Sequence, residues 1–313
     1  MENDSLVLTT YNRSTGFCID PIEKKPLNHF LTGTPVLSFG TAGCNLGCKF
    51  CQNWDISKSR EVERLSREAT PQAIARRAKS LGCRSVAFTY NDPIIWAEYA
   101  IDTAIACHEE GVSTVAVTAG YITDTAREDF FRHMDAVNID LKAFSQNFYH
   151  KLCFGALSPI LETLLWLKHE STCWFEVTTL LIPGENDSDD ELHALTDWFA
   201  ENLGPDIPLH FSAFHPDFKM MDKPRTPPAT LKHARKIALS KGLNYVYTGN
   251  VHDADGDTTY CPQCNEAIIV RDWYEILYWN LKSSACGACG AHISGVFDDK
   301  PGDWGSKRRP VLL

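Results

Sequence analysis

The chain has no apolar run approaching the roughly 18 residues that a membrane-spanning helix requires. Its N-terminus, MENDSLVLTTYN, lacks the basic stretch and apolar core of a secretory signal, so a cytoplasmic protein without a membrane segment is expected. A surplus of basic charge is also missing. Lys and Arg number 30 against 40 Asp and Glu, a net charge of −10, which counts against the broad phosphate-binding surface that nucleic acid demands. Neither a fixed-period repeat nor a low-complexity tract occurs. With 44% hydrophobic and 22% charged residues, the composition excludes disorder, collagen and coiled coil. What the chain does have is cysteine, 12 residues in 313. In a reducing compartment these serve as metal ligands, catalytic thiols or small buried residues rather than as disulfides.

The length suits one large α/β unit with a small appended module. From about residue 34 to 248, short β-rich runs (PVLSFG, SVAFTY, TVAVT, AVNIDL, WFEVTTLLI, LHFSAF and NYVYTG) alternate with amphipathic stretches. Those stretches include Pro71 to Leu81, Ile94 to Glu110, Thr123 to His133, Asp189 to Asn202 and Pro228 to Lys241. Such alternation predicts a parallel sheet with helical crossovers, either a partial (β/α) barrel or a doubly wound open sheet. In both, function gathers at the C-terminal ends of the strands, where FGTAGCN, TYNDP, TAGY, DLK and FHPDF fall. The pattern divides the chain into an N-terminal arm (1–35), the barrel (36–250), a cysteine-rich module (251–297) and a tail (298–313). The basic run Lys307, Arg308 and Arg309 reads as a solvated tail.

Cys44, Cys48 and Cys51 lie within eight residues, in a glycine-containing loop just after a predicted strand. Three thiolates at this spacing converge on one centre. In an iron–sulfur cube, three cysteine ligands leave one iron open to a substrate or cofactor. A zinc site borrowing a distant fourth ligand, and three reduced cysteines without joint purpose, are the alternatives.

The Cys-x-x-x-Cys-x-aromatic-Cys pattern resembles the signature of the radical S-adenosylmethionine superfamily. That resemblance implies a 4Fe–4S cluster on Cys44, Cys48 and Cys51, with S-adenosylmethionine bound at the open iron. It also implies reductive cleavage of the cofactor and hydrogen abstraction by a 5′-deoxyadenosyl radical, with Phe50 beside the adenine. Over about residues 36 to 215 the motif order is similar to that of the glycyl-radical-enzyme activases. Tyr90, Asn91 and Asp92 stand where those enzymes carry Gly-Gly-Glu, so Asp92 would accept from the cofactor ammonium. Thr118 to Tyr121, with Gly120, replaces their Thr-Asn-Gly-Phe. Asp140 and Lys142 match an Asp-Leu-Lys, Lys142 meeting the cofactor carboxylate, and His210 falls near the ribose. Val117 stands where activases carry an acidic residue for a monovalent cation, which puts that cation in doubt. Asp140 with Lys142 also reads as an ordinary strand-end ion pair, and His210 as a hydrogen-bonded core histidine.

A narrower resemblance runs through Asp20 to Leu27, Ser38 to Cys44, Cys51 to Ser57 and Thr248 to Asp253. These segments resemble the radical enzyme of the AmmeMemoRadiSam system, implying AMMECR-type and Memo-type partners and a flavodoxin- or ferredoxin-type reductant. Asp20 to Leu27 reads equally as a Pro-framed turn with surface charges.

Cys261, Cys264, Cys286 and Cys289 form two Cys-x-x-Cys knuckles 21 residues apart, the spacing of a four-cysteine zinc ribbon. Rubredoxin-type iron, an auxiliary cluster and a redox dithiol pair remain alternatives. A module of about 40 residues would depend on the metal for its stability. Trp273, Tyr274, Tyr278 and Trp279 between the knuckles are expected to pack against the barrel. His252, Asp253 and His292 are read as non-ligands. Cys83, Cys107 and Cys173 read as buried small residues, whereas Cys18 and Cys153 are candidates for a hydrogen-atom-donating thiol. The leading function is hydrogen abstraction from an unknown substrate. The alternatives are glycyl-radical activation of a partner, nucleic-acid modification, and a non-catalytic metal-binding scaffold in an AMMECR/Memo assembly.

Overall fold

The computed structural model describes residues 6–58 and 67–313; the first five residues of the expected arm lie outside them. Nine strands form one sheet. They are β1 (Phe17–Pro21), β2 (Pro35–Phe39), β3 (Ser85–Phe88), β4 (Ser113–Thr118), β5 (Ala136–Asp140), β6 (Trp174–Leu181), β7 (Leu209–Ala213), β8 (Val246–Gly249) and β9 (Arg309–Val311). Their spatial order is β8-β7-β6-β5-β4-β3-β2-β1-β9. The seven strands β2 to β8 are parallel and follow the sequence without reversal. A doubly wound sheet reverses its order at a switch point, so the α/β sheet is singly wound. Its outer strands β8 and β9 do not pair with each other among the described residues, leaving the partial, open form expected of this fold class.

The parallel strands are near-continuous apolar runs because helices cover them. The helix Pro71–Ser80 shows how a crossover is encoded. Thr70 caps it by accepting from the Ala73 amide, proline occupies its first turn, and Ile74, Ala75 and Ala78 form its buried face. It stops at Gly82, whose φ of +71° favours glycine. Burial of Ile74 alone contributes about 1.5–3 kcal/mol. The helix Asp189–Asn202 is likewise capped by Ser188, with three acidic residues in its first turn.

Two ends of the chain are more integral than the sequence suggested. Phe17–Pro21, read as part of an arm, is the antiparallel neighbour of β2, and Arg309–Val311, read as tail, pairs antiparallel with β1. Both carry a proline, which an edge or a strand end tolerates but a sheet centre does not. Lys307 to Arg309 is exposed, as a solvated run is, but the backbone of Arg309 is tied to the sheet.

The cysteine-rich module packs on the segment before β2. The amide of Leu31 donates to the Val296 carbonyl, and the amide of Val296 donates to that of His29 at 2.7 Å. Its own core comprises Ile268, Ile269, Leu281 and Ile293, joined to Tyr247 from β8 and to Tyr245 just before it.

Candidate active site

Alternate residues of β6, β7 and β8 turn into one cavity of about 630 Å³: Thr178 and Leu180, His210 and Ser212, Tyr247 and Gly249. The same cavity is lined by Cys44, Cys48, Phe50, Cys51, Tyr90, Asn91, Asp92, Thr118, Asp140 and Lys142. Of the cofactor residues named from the sequence, Gly120 alone is not in the lining. Its φ is +65°, and its carbonyl accepts from Thr163 Oγ1, so it serves the turn after β4.

Asn91 builds the base of the cysteine loop. Its Oδ1 accepts from the Thr41 amide at 3.0 Å, while Nδ2 donates to Thr41 Oγ1 at 3.1 Å and to the Gly43 carbonyl at 2.8 Å. Gly40 has no space for a side chain here, since a Cβ would press on the Thr89 carbonyl and Asn91 Oδ1. Further along, the amides of Gly47 and Lys49 donate to the carbonyls of Cys153 and Leu152. These bonds pin the loop on both sides.

The thiols of Cys44, Cys48 and Cys51 do not all lie within 4.8 Å of one another, as the ligands of a single small ion would. They sit on the wall of one cavity, half-buried or buried, a donor set that fits a multi-iron cluster. The Cys48 thiol is drawn below its ordinary value, chiefly by the hydrogen bond from Cys153 and secondarily by Lys142 and Lys58, against the effect of burial. A thiolate is the form that binds iron. Cys153 is fully buried behind Cys48 and outside the lining.

Asp92 is buried and accepts from Thr118 Oγ1 at 2.7 Å, the Ala119 amide at 2.9 Å and the Ile94 amide at 3.1 Å. Burial pushes its carboxyl up, and these bonds oppose the shift. Lys142 Nζ donates to Asp140 Oδ2 at 2.8 Å, a strand-end ion pair that also faces the cavity. Phe50 packs on Phe148, ring centres 5.7 Å apart. Tyr90 lines the cavity too, with its hydroxyl already engaged. Its φ of +72° is strained for a side-chain-bearing residue, and its hydroxyl donates to Asp20 at 3.1 Å beneath Lys25.

His210 is a buried, hydrogen-bonded histidine that lines the cavity. Its Nε2 donates to Glu176 Oε2 at 2.7 Å, and its ring stacks on Tyr247 at the cavity wall. Glu176 is completely buried and also accepts from the amides of Asn28 and His29 and from Trp174 Nε1. His29 Nδ1 donates to the Ser294 carbonyl, which leaves Nε2 to accept from Tyr247. Arg271 donates to Thr259 Oγ1 and to the Asn28 carbonyl. Sequence reasoning missed this network, together with Glu23, Arg271 and Arg308 in the lining. The one available signal was the segment Asp20 to Leu27, which does turn, but whose charged residues Asp20, Glu23 and Lys25 are buried rather than at the surface.

In the C-terminal module the four sulfurs of Cys261, Cys264, Cys286 and Cys289 lie within 4.8 Å of one another. Cys261 is 3.6 Å from Cys289, and Cys264 is 3.8 Å from Cys286. A tetrahedral metal with bonds of about 2.3 Å needs sulfur–sulfur edges of about 3.8 Å, so the set fits one. The amides of Gln263 and Cys264 donate to Cys261, and those of Ala288 and Cys289 to Cys286. Between the knuckles, Trp279 packs on Phe297 and Tyr278 is exposed. Trp273 and Tyr274, expected to be packing residues, instead reach the cavity. His252 receives a hydrogen bond from Trp273 Nε1.

The chain is 40% identical over 296 residues to the uncharacterized protein MJ0808 of Methanocaldococcus jannaschii, covering 94% of this chain and 88% of that one. Pyruvate formate-lyase 1-activating enzyme of Escherichia coli is 26% identical over 181 residues, 55% of this chain and 71% of that one. A radical SAM methyltransferase structure from Sphaerobacter thermophilus shares the fold at a TM-score of 0.55 and 16% identity, over 69% of this chain and 66% of that one. The family model described as the radical SAM superfamily matches residues 39–196. A match over half the chain, opening on the strand that feeds the cysteine loop, leaves one reading: the chain belongs to the radical S-adenosylmethionine superfamily.

Proposed function

We propose that this enzyme binds a 4Fe–4S cluster through Cys44, Cys48 and Cys51 and uses S-adenosylmethionine to abstract hydrogen from a small molecule held in the same cavity. The observation carrying this reading is the convergence of the three cysteines, Asp92, Lys142 and His210 on one cavity. When bound, the cluster and cofactor supply the 5′-deoxyadenosyl radical. The protein's own part is positioning. Asp92 would accept from the cofactor ammonium, Lys142 would meet its carboxylate, Phe50 would flank the adenine and His210 would lie near the ribose. The segment before β2 and Trp273 and Tyr274 add walls to the cavity that would limit the access of water to a reactive radical.

The cavity volume lies within the range of about 300–1,000 Å³ usual for small-molecule sites, and it must also contain the cofactor. That favours a small substrate over the loop of a partner protein. Glycyl-radical activation is the second reading, favoured by the relative named as an activating enzyme. An activase consumes one cofactor per partner activated, whereas a small-molecule enzyme turns over. We further assign zinc to the four-cysteine site, a flavodoxin- or ferredoxin-type protein as electron donor, AMMECR-type and Memo-type proteins as partners, and a cytoplasmic location. No described helix is long and apolar enough to cross a membrane.

The test is anaerobic reconstitution with iron and sulfide, then dithionite and S-adenosylmethionine, with 5′-deoxyadenosine quantified. Release by the wild type and not by Cys48→Ala supports the reading. A loaded cluster that releases none in either protein overturns it and favours the non-catalytic scaffold.

A further inference from the structure

Three cations converge on one carboxylate beside the cavity. Lys24 Nζ lies 3.0 Å from Asp20 Oδ1, Lys25 Nζ 2.7 Å from Oδ2, and Arg308 Nε 3.9 Å from Oδ1. Tyr90 donates to Oδ2 as well. Asp20 is fully buried. Burial pushes its carboxyl up, but Lys25 and Lys24 outweigh that and hold it down to about 2, so it carries a full negative charge. Among the described residues no second carboxylate pairs with any of the three cations. Burial draws the Lys25 ammonium down, and with Asp20 negative the partly exposed Lys24 and Arg308 still leave a local surplus of positive charge.

That surplus faces open space. Lys24, Lys25 and Arg308 line the cavity, whereas Asp20 does not. Lys25 is buried, but the side chains of Lys24 and Arg308 are 33% and 66% exposed. The arrangement is assembled across nearly the whole chain, because Arg309 of β9 pairs with Ile19 of β1 and so brings Arg308 to Asp20. The cavity carboxylates Glu23 and Asp257 are instead coupled to Arg271. A buried carboxylate holds several cations in place while offsetting only one positive charge. Such a cluster is an anion receptor: Arg308 presents a planar fork of donors and Lys24 a point charge.

Resting on the radical-enzyme reading above, we propose that Lys24 and Arg308, positioned by Asp20 and Lys25, receive a compact anionic group, carboxylate or phosphoryl, on a small-molecule substrate. The segment Asp20 to Leu27 is then a substrate contact as well as a turn, and the C-terminal basic run has a role that its sequence position conceals.

Calorimetric titration of the anaerobically reconstituted holoenzyme with inorganic phosphate and, separately, with acetate tests this. One site per chain is expected. Its affinity should fall at least about tenfold in the Lys24→Gln, Arg308→Gln double variant, the loss of charge-assisted hydrogen bonds. Preference for phosphate marks a phosphoryl substrate, and preference for acetate a carboxylate one. Arg308→Lys, which keeps the charge but loses the fork, should bind more tightly than Arg308→Gln, and Lys307→Gln, at a neighbouring cation outside the lining, should not change affinity. Arg308→Gln alone, at a mostly exposed side chain, gives the same reading if the double variant is unstable. Failure of the wild type to bind either anion, or equal binding by the neutralised variants, overturns the proposal. Deoxyadenosine release in the absence of added anion reports separately on the radical reading. Charge-dependent anion binding without any deoxyadenosine would retain the anion site and sink the radical chemistry.

Discussion

Glu176 and His210 face each other across neighbouring parallel strands, 2.7 Å from carboxylate to ring nitrogen. Through the other hydrogen bonds of Glu176, this pair ties the cavity wall to the backbone of Asn28 and His29. Replacing Glu176 by Ala leaves four buried donors without an acceptor. The expected loss is about 3–5 kcal/mol of stability, the cost of breaking a buried pair. Urea unfolding measures it, and a loss below about 1 kcal/mol would show that the network is not structural.

His29 is predicted to make stability depend on pH. Burial lowers its pKa from 6.5 to about 4, and both ring nitrogens are committed to neutral hydrogen bonds. Between those values the unfolded chain binds a proton that the folded chain refuses, so stability falls as pH drops from about 6.5 to about 4. At about 1.4 kcal/mol per pH unit the total approaches 3 kcal/mol. Denaturant titrations at several pH values should show this slope in the wild type and its loss in His29→Gln.

Gly40→Ala should impair assembly of the metal centre. The added methyl meets Asn91 Oδ1 at 2.7 Å, displacing the side chain that pins Thr41 and Gly43. Overpacking of this kind costs about 1–3 kcal/mol. Iron per chain after reconstitution should fall; full iron content would show that the loop accommodates the change.

Asp92→Asn removes the charge proposed to meet the cofactor ammonium but keeps the shape. Affinity for S-adenosylmethionine should weaken about tenfold or more while iron content stays at the wild-type level. Equilibrium binding to the reconstituted protein decides this, and unchanged affinity would remove Asp92 from the cofactor site.

Cys286→Ser should release the proposed zinc and loosen the C-terminal module. Elemental analysis should give one zinc per wild-type chain and a strongly reduced content in the variant. The melting temperature should drop by more than about 5 °C, because the metal supplies folding energy to a small core. Iron retained in place of zinc would identify a rubredoxin-type centre.

Much of the fold was legible because its signals are local. All seven parallel strands appear where apolar runs alternate with amphipathic stretches, and the helix read as Pro71 to Leu81 spans Pro71–Ser80. The open, singly wound order was not legible, since alternation is the same in both arrangements. The helix Ser158–His169 was not singled out; it carries Leu161, Leu164, Leu165 and Trp166 around much of its surface, which blurs its apolar face.

Spacing alone proposed both cysteine sets, since neighbouring ligands in one loop need only a few bonds of backbone to converge. Cys44, Cys48 and Cys51 share a wall, and the two knuckles bring four sulfurs within 4.8 Å. Tertiary structure alone decided the rest. Arg308 reaches Asp20 through the pairing of β9 with β1, Arg271 reaches Asn28 through docking of the module, and Tyr90 turns to Asp20. Each contact joins residues tens to hundreds of positions apart, so it depends on long-range chain closure and strand register, which no local periodicity encodes.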